Sequence, residues 1–179
     1  MEDSLVRYPG QPRDEITQRV VFKHFLSVAP IMLGMTIVLA AAIAAEIYLS
    51  LNANSVNFIV PSYMVSIVGF LILLMIFVLI VGTIWIWRRN RVIITNNHIV
   101  DVEQLGLFNR VVATLRLEEI QDVSASVNGP TQMMFKFGTV IIQTAGEREN
   151  FVFDYVPNPY ELEQYILELR KKNTINKLI

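Results

Sequence analysis

Tyr63-Met-Val-Ser-Ile-Val-Gly-Phe-Leu-Ile-Leu-Leu-Met-Ile-Phe-Val-Leu-Ile-Val-Gly-Thr-Ile-Trp-Ile-Trp87 runs without one charged residue into Arg88-Arg89-Asn90-Arg91-Val-Ile-Ile-Thr95. A helix rises ~1.5 Å per residue, so about 20 residues cross a ~30 Å hydrocarbon core. A soluble helix of this length carries a polar stripe. Here Ser66, Gly69, Gly82 and Thr83 are the only weakly apolar members of 65–86. The stretch therefore reads as a transmembrane helix over 63–87. Working outward, a second apolar run covers 27–51, with Glu46 its only charged side chain. Residues 52–62 between the runs hold no Lys or Arg, whereas Arg7, Arg13, Arg19 and Lys23 precede the first and three arginines follow the second. The positive-inside rule then puts the 52–62 loop outside and both termini in the cytoplasm. Trp85 and Trp87 sit where an interfacial belt falls, and Tyr48 and Tyr63 suit the opposite interface. A signal peptide is the competing reading of the first run, but 26 residues of mixed charge precede it, unlike a short basic n-region.

Of the 179 residues, 53% are apolar and 17% charged, an imbalance that excludes both a single soluble globule and a disordered tail. Cysteine is absent, which removes disulfides, zinc–thiolate sites and Cys nucleophiles. A net charge of −1 gives no electrostatic case for nucleic acid. Glu46 lies about one turn from the outer end of its run, where a carboxyl reaches headgroup water. Gly34 with Ala40, Ala41, Ala42, Ala44 and Ala45 suggests a small-residue face for close helix packing. Pro30 falls in a first turn, where a missing N–H costs little.

After the second run the composition turns neutral, with 11 basic and 11 acidic residues in 88–179. Arg91–Thr95 is β-branched, Asn96-Asn97 signals a tight turn, and His98–Leu107 supplies the returning strand. Further strands are expected over Asn109–Leu117 and Leu117–Val123, the latter with Ile120 and Val123 inward. Asn128-Gly-Pro130 reads as a breaker, and Gly138–Thr144 with Glu149–Val156 as an alternating hairpin. One helix closes the chain: Asn158 as N-cap, Pro159 at the first position, Glu161 three after the cap. Leu162, Tyr165, Ile166 and Leu169 form its apolar face, and Asn173–Ile179 is expected to fray. The expected organisation is an N-terminal cytoplasmic segment 1–26, the spans 27–51 and 63–87, a domain over 88–172 and a tail 173–179. The fold expected is a membrane α-helical hairpin plus a mostly-β, pleckstrin-homology-like barrel capped by its C-terminal helix.

The chain resembles the bacterial pleckstrin-homology-like membrane proteins. The likeness is carried by Tyr8-Pro-Gly-Gln-Pro-Arg-Asp-Glu15, Lys23-His24, the two spans and Arg91-Val-Ile-Ile-Thr95-Asn96. Gly106-Leu-Phe-Asn-Arg110, Ile120-Gln-Asp-Val123 and Phe137-Gly-Thr-Val-Ile-Ile-Gln-Thr-Ala-Gly146 continue it. Asn128–Phe137 departs from the family, which has a Leu-rich, basic loop there. The resemblance implies a fold and a location, with no settled biochemical activity.

Little in the chain points to catalysis. His24 and His98 are the only histidines, far apart in sequence, so no metal site is expected. Glu118 and Glu119 are adjacent and point to opposite faces of a strand. No P-loop, nucleophile elbow or dinucleotide fingerprint occurs, so neither enzyme activity nor a cofactor nor a small-molecule substrate is expected. Arg88, Arg89 and Arg91 with Trp85 and Trp87 are the candidates for the membrane interface and anionic lipid. Met133, Met134 and Phe135 are the candidate partner patch. The expectation is a non-catalytic scaffold or interaction module at the cytoplasmic face of a bacterial inner membrane, touching the bilayer, other membrane proteins or copies of itself. Peripheral recognition of anionic headgroups is the alternative.

Overall fold

The computed structural model describes residues 7–8, 10–13, 15–52, 62–145 and 150–178. Most of the expected 52–62 loop, and the tip of the expected hairpin at 146–149, lie outside them. The chain divides into two units, residues 28–85 and residues 1–27 with 86–179.

The first of these units holds two helices, α1 (Ala29–Leu51) and most of α2 (Ser62–Arg89). Both are long and apolar enough to cross a membrane. Partly buried positions recur along α1 at Met32, Met35, Leu39, Ala42 and Glu46, and along α2 at Gly69, Leu73, Ile76, Ile80 and Thr83. The alternating three- and four-residue spacing is that of two helices meeting along one narrow seam. Most side chains around the seam are exposed and apolar, including Leu33, Ile37, Phe70 and Phe77, the inverse of a soluble helix pair. The seam corrects one expectation: Gly34, Ala40, Ala41, Ala44 and Ala45 face outward, and only Ala42 of that set lies on it. Glu46 does not merely reach for the helix end. Its carboxyl lies against Gly69, where any Cβ would overlap it.

The other unit is a seven-stranded β structure closed by a helix. Its first strand comes from ahead of the apolar helices. β1 (Thr17–Phe22) pairs antiparallel with β2 (Arg91–Thr95), setting Phe22 opposite Arg91. β3 (His98–Gln104) and β4 (Arg110–Arg116) complete a sheet of order β1-β2-β3-β4. A second sheet is built from β5 (Ile120–Ser126), β6 (Phe137–Thr144) and β7 (Phe151–Pro157). The domain expected over 88–172 is thus discontinuous, and the apolar hairpin is inserted between its first two strands. The physical reason is pairing: without β1, the N–H and C=O groups along one side of β2 would have no partners.

Val92, Ile93, Ile94 and Thr95 are all buried, because this sheet is covered on both faces. Val92, Ile94, Ile99 and Leu115 join the main core with Ile120, Val123, Val140, Ile142 and Phe153. Ile93, Val100 and Val102 pack on the other face against Tyr8. α4 (Pro159–Leu178) caps the main core with Leu162, Ile166 and Leu169, each worth about 1.5–3 kcal/mol when fully buried.

Four local expectations change. Leu117–Glu119 forms a 3₁₀ turn and the strand begins only at Ile120, so Glu118 and Glu119 do not alternate across a sheet. Asn128-Gly-Pro130 starts a short helix, α3 (Gly129–Phe135), with the proline in its first turn. A proline there removes only an N–H that has no intrahelical partner. Glu161 does not close a capping box; its carboxylate pairs with Arg19 at 2.7 Å. The helix runs on through the expected tail, where the Asn173 amide donates to the Asn96 carbonyl at 2.8 Å. Gly138 is required by close approach, since a Cβ there would overlap the Ser126 carbonyl.

Candidate functional site

The end of the domain from which the apolar helices depart carries exposed Phe22, Phe25, Leu105, Leu107 and Phe108 together with Lys23, Arg88, Arg89, Arg91 and Arg110. Phe22, Arg91, Val102 and Val112 lie side by side across the sheet. The Trp87 indole donates to the Lys23 carbonyl at 3.0 Å, tying the two departure points together. Asn90, the first residue after α2, accepts the Gln104 backbone N–H at 2.6 Å, and the Gln104 amide donates to Gly106 O. These bonds, with Leu105 N–H to Asn109 O at 3.0 Å, hold the β3–β4 loop beside the end of α2. The loop exposes Leu105 by 64%, Leu107 by 60% and Phe108 by 95%.

Arg91 is half-buried at the start of β2 and its Nε is buried without a hydrogen-bond partner. Burial first, then the charges of Arg110 and Arg89, lower its basicity. Three guanidinium groups from two chain segments, residues 89–91 and the start of β4, therefore share one small region, a combination suited to phosphate. Deeper in, Lys23 pairs with Glu103 at 2.9 Å. Asp101 stands near both and is pushed up to about 6, by burial above all, with Lys23 opposing and Glu103 adding to the rise.

On the same end, the 3₁₀ turn Phe25–Ser27 leads into α1. His24 stacks on Phe137 at 4.9 Å, and its N–H donates to Tyr155 O at 2.7 Å. Tyr155 takes a positive φ of 57° to present that carbonyl, a backbone state unfavourable for a bulky residue. Phe25 meets Phe135 of α3 edge to face, while Met133 and Met134 remain largely exposed.

The opposite end holds a buried polar cluster. Glu15 accepts from the Tyr8 phenol at 2.7 Å and from the Thr95 hydroxyl, and it pairs with His98 Nδ1 at 2.7 Å. Burial pushes the carboxyl upward, but the bonds from Thr95, Tyr8 and His98 outweigh it and hold it below its ordinary value. Burial and the carboxylate push the Tyr8 phenol up to about 12.

Of the sequence candidates, Arg89, Arg91 and Trp87 meet at the departure end, and Arg88 beside them is exposed. Trp85 stands on α2 within the helical unit. Met133, Met134 and Phe135 end the short helix α3, the two methionines exposed and Phe135 turned onto Phe25. Lys23, Arg110, Leu105, Leu107 and Phe108 were not read as site residues. Leu107, Phe108 and Arg110 sit in the Gly106-Leu-Phe-Asn-Arg110 stretch, which reads as a turn and nothing more, and Lys23 and Leu105 carry no local signal. Among the described residues, no three His, Asp or Glu side chains gather as a metal-ligand set.

A model described as the bacterial PH domain matches residues 25–170. The chain belongs to that family. The matched stretch of this bacterial PH domain takes in both apolar helices and starts after β1, so Tyr8, Glu15 and the first strand lie ahead of it. A solved DUF1696 family protein with a pleckstrin-homology domain, from Shewanella loihica PV-4, is 10% identical with a TM-score of 0.39, covering 46% of this chain and 71% of its own. No curated protein matches the chain by sequence.

Proposed function

We propose that this bacterial PH domain is a non-catalytic scaffold, fixed by its helical hairpin at the cytoplasmic face of the inner membrane, where it engages membrane proteins or further copies of itself. The observation that carries this reading is the insertion of the hairpin between the paired strands β1 and β2. A hairpin inserted there tethers the domain at two points and brings both chain ends to one side of the bilayer. The outward apolar surface of α1 and α2 supports the spanning reading, because a soluble core helix would bury that surface. Confinement at the bilayer raises the effective concentration of the domain for partners held in the same plane.

Recognition of anionic lipid is the second reading, favoured by the grouping of Arg89, Arg91 and Arg110. The test of the first is labelling of intact bacteria with a membrane-impermeant thiol reagent, using the native absence of cysteine. Asn57→Cys is expected to react from outside and Glu118→Cys only after permeabilisation. Purification in mild detergent is expected to return a discrete oligomer or a stable complex with other membrane proteins. The reverse labelling pattern, or a chain that fractionates without lipid, refutes anchoring; a lone monomer refutes the scaffold.

A further inference from the structure

The β3–β4 loop has no evident task in the fold. Its apolar side chains point away from both cores, and Phe108 is the most exposed large hydrophobic among the described residues, at 95%. Yet the loop is not slack. Gln104 and Asn90 bind it to the residue following α2, and Asn109 closes it on Leu105. Asn90 lies only three residues beyond Trp87, about 4.5 Å of helix rise. A rigid apolar tip so close to the point where the chain leaves an apolar helix is short of one thing only, an apolar medium. Beside it stand Arg91, at the start of β2, and Arg110, at the start of β4, two like charges that an anion would offset.

We propose that Leu107 and Phe108 dip into the acyl-chain boundary of the bilayer that holds the hairpin, while Arg89, Arg91 and Arg110 take the phosphates of anionic headgroups around them. The inference rests on the membrane-anchored reading above and adds to it a second, reversible attachment. The occupant is the lipid surface rather than a protein because the loop is held next to the chain's own departure point and its rim is basic. The acids facing the region, Glu103 and Asp101, are engaged with Lys23 on the core side of the sheet. The exposed Met133 and Met134 at the departure end of α1 extend the same apolar margin.

The experiment uses the full chain in nanodiscs of phosphatidylcholine with and without phosphatidylglycerol. A nitroxide is placed through Leu107→Cys, with Glu118→Cys at the far end and Ile67→Cys in α2 as references. Collisions with oxygen and with a water-soluble nickel chelate report depth. The expected result is loss of chelate access at 107 when phosphatidylglycerol is present and full access at 118. Phe108→Asp, added to the 107 label, is expected to restore chelate access, and Arg110→Glu to make the label shallower. Chelate access at 107 equal to that at 118 in both membranes overturns the proposal while an embedded 67 leaves anchoring intact. Water access at 67 overturns anchoring itself. An equal depth at 107 with and without phosphatidylglycerol overturns the part given to the arginines.

Discussion

A chain of residues 88–179 should fail to fold, although it contains every strand that follows the hairpin. Removing the N-terminal segment strips β2 of five paired positions, from Thr17↔Thr95 to Phe22↔Arg91. At about 1 kcal/mol net per hydrogen bond, that ladder contributes roughly 4–5 kcal/mol. Val21 and Tyr8, both nearly buried, add about 1.5–3 kcal/mol each by the area they cover. The loss of roughly 7–11 kcal/mol falls within the ~5–15 kcal/mol that holds a domain together. A second chain joins residues 7–22 to 91–179 through an Asn-Gly turn, which suits strands whose end residues face each other. It should be soluble, give a dispersed amide spectrum and unfold cooperatively in urea. The truncated chain should give collapsed, narrow amide shifts and no cooperative transition. Equal urea midpoints for the two chains would refute the reasoning, because β1 would then contribute nothing.

Three further outcomes are expected from the joined soluble chain. Gly138→Ala forces a Cβ onto the Ser126 carbonyl and should cost about 1–3 kcal/mol in urea unfolding, with the same strand order by amide NOEs. Asp101 has its folded pKa raised from 3.8 to about 6 in the full chain, by burial above all, and the joined chain lacks Lys23, the charge that opposes the rise, so its contribution is intact below pH ~4 and lost as pH rises through the raised value. Asp101→Asn should therefore be more stable than the parent at pH 7, by about 2 kcal/mol after allowing for partial exposure, and equal to it near pH 4. Glu15 is held below its ordinary value, so its stabilisation is present above pH ~4.5 and lost as pH falls. Glu15→Gln should cost about 1–3 kcal/mol at pH 7, with the difference shrinking in acid, as urea titrations across pH would show.

What could be read from the residues alone divides along a physical line. The apolar helices, the β2–β3 hairpin and the capping helix announce themselves by local periodicity and local turn chemistry. β1 does not. Thr17-Gln-Arg-Val-Val-Phe22 is short, bulged and flanked by charges, and its partner strand lies beyond the whole hairpin. Arg19 and Lys23, which count as topology signals in the sequence, are engaged with Glu161 and Glu103. The Glu15 cluster joins residues 8, 15, 95 and 98, and a Pro- and Gly-rich polar stretch looks like a linker until its long-range partners are known. The basic group is half legible for the same reason: Arg89 and Arg91 are neighbours in the chain, and Arg110 reaches them only through the sheet.

If the hairpin spans a membrane as proposed, the interrupted domain imposes an order on biogenesis. β1 leaves the ribosome before either helix and cannot find its neighbour until 68 intervening residues have followed. Chain closure over that distance costs little more entropy than over a short loop, provided both helices have threaded the bilayer and turned back. A copy whose second helix stalls, or inserts the wrong way round, strands β1 across the membrane from the other six. It would then show an unfinished sheet edge to the proteases and chaperones of its compartment, so the completed barrel doubles as a receipt for correct insertion.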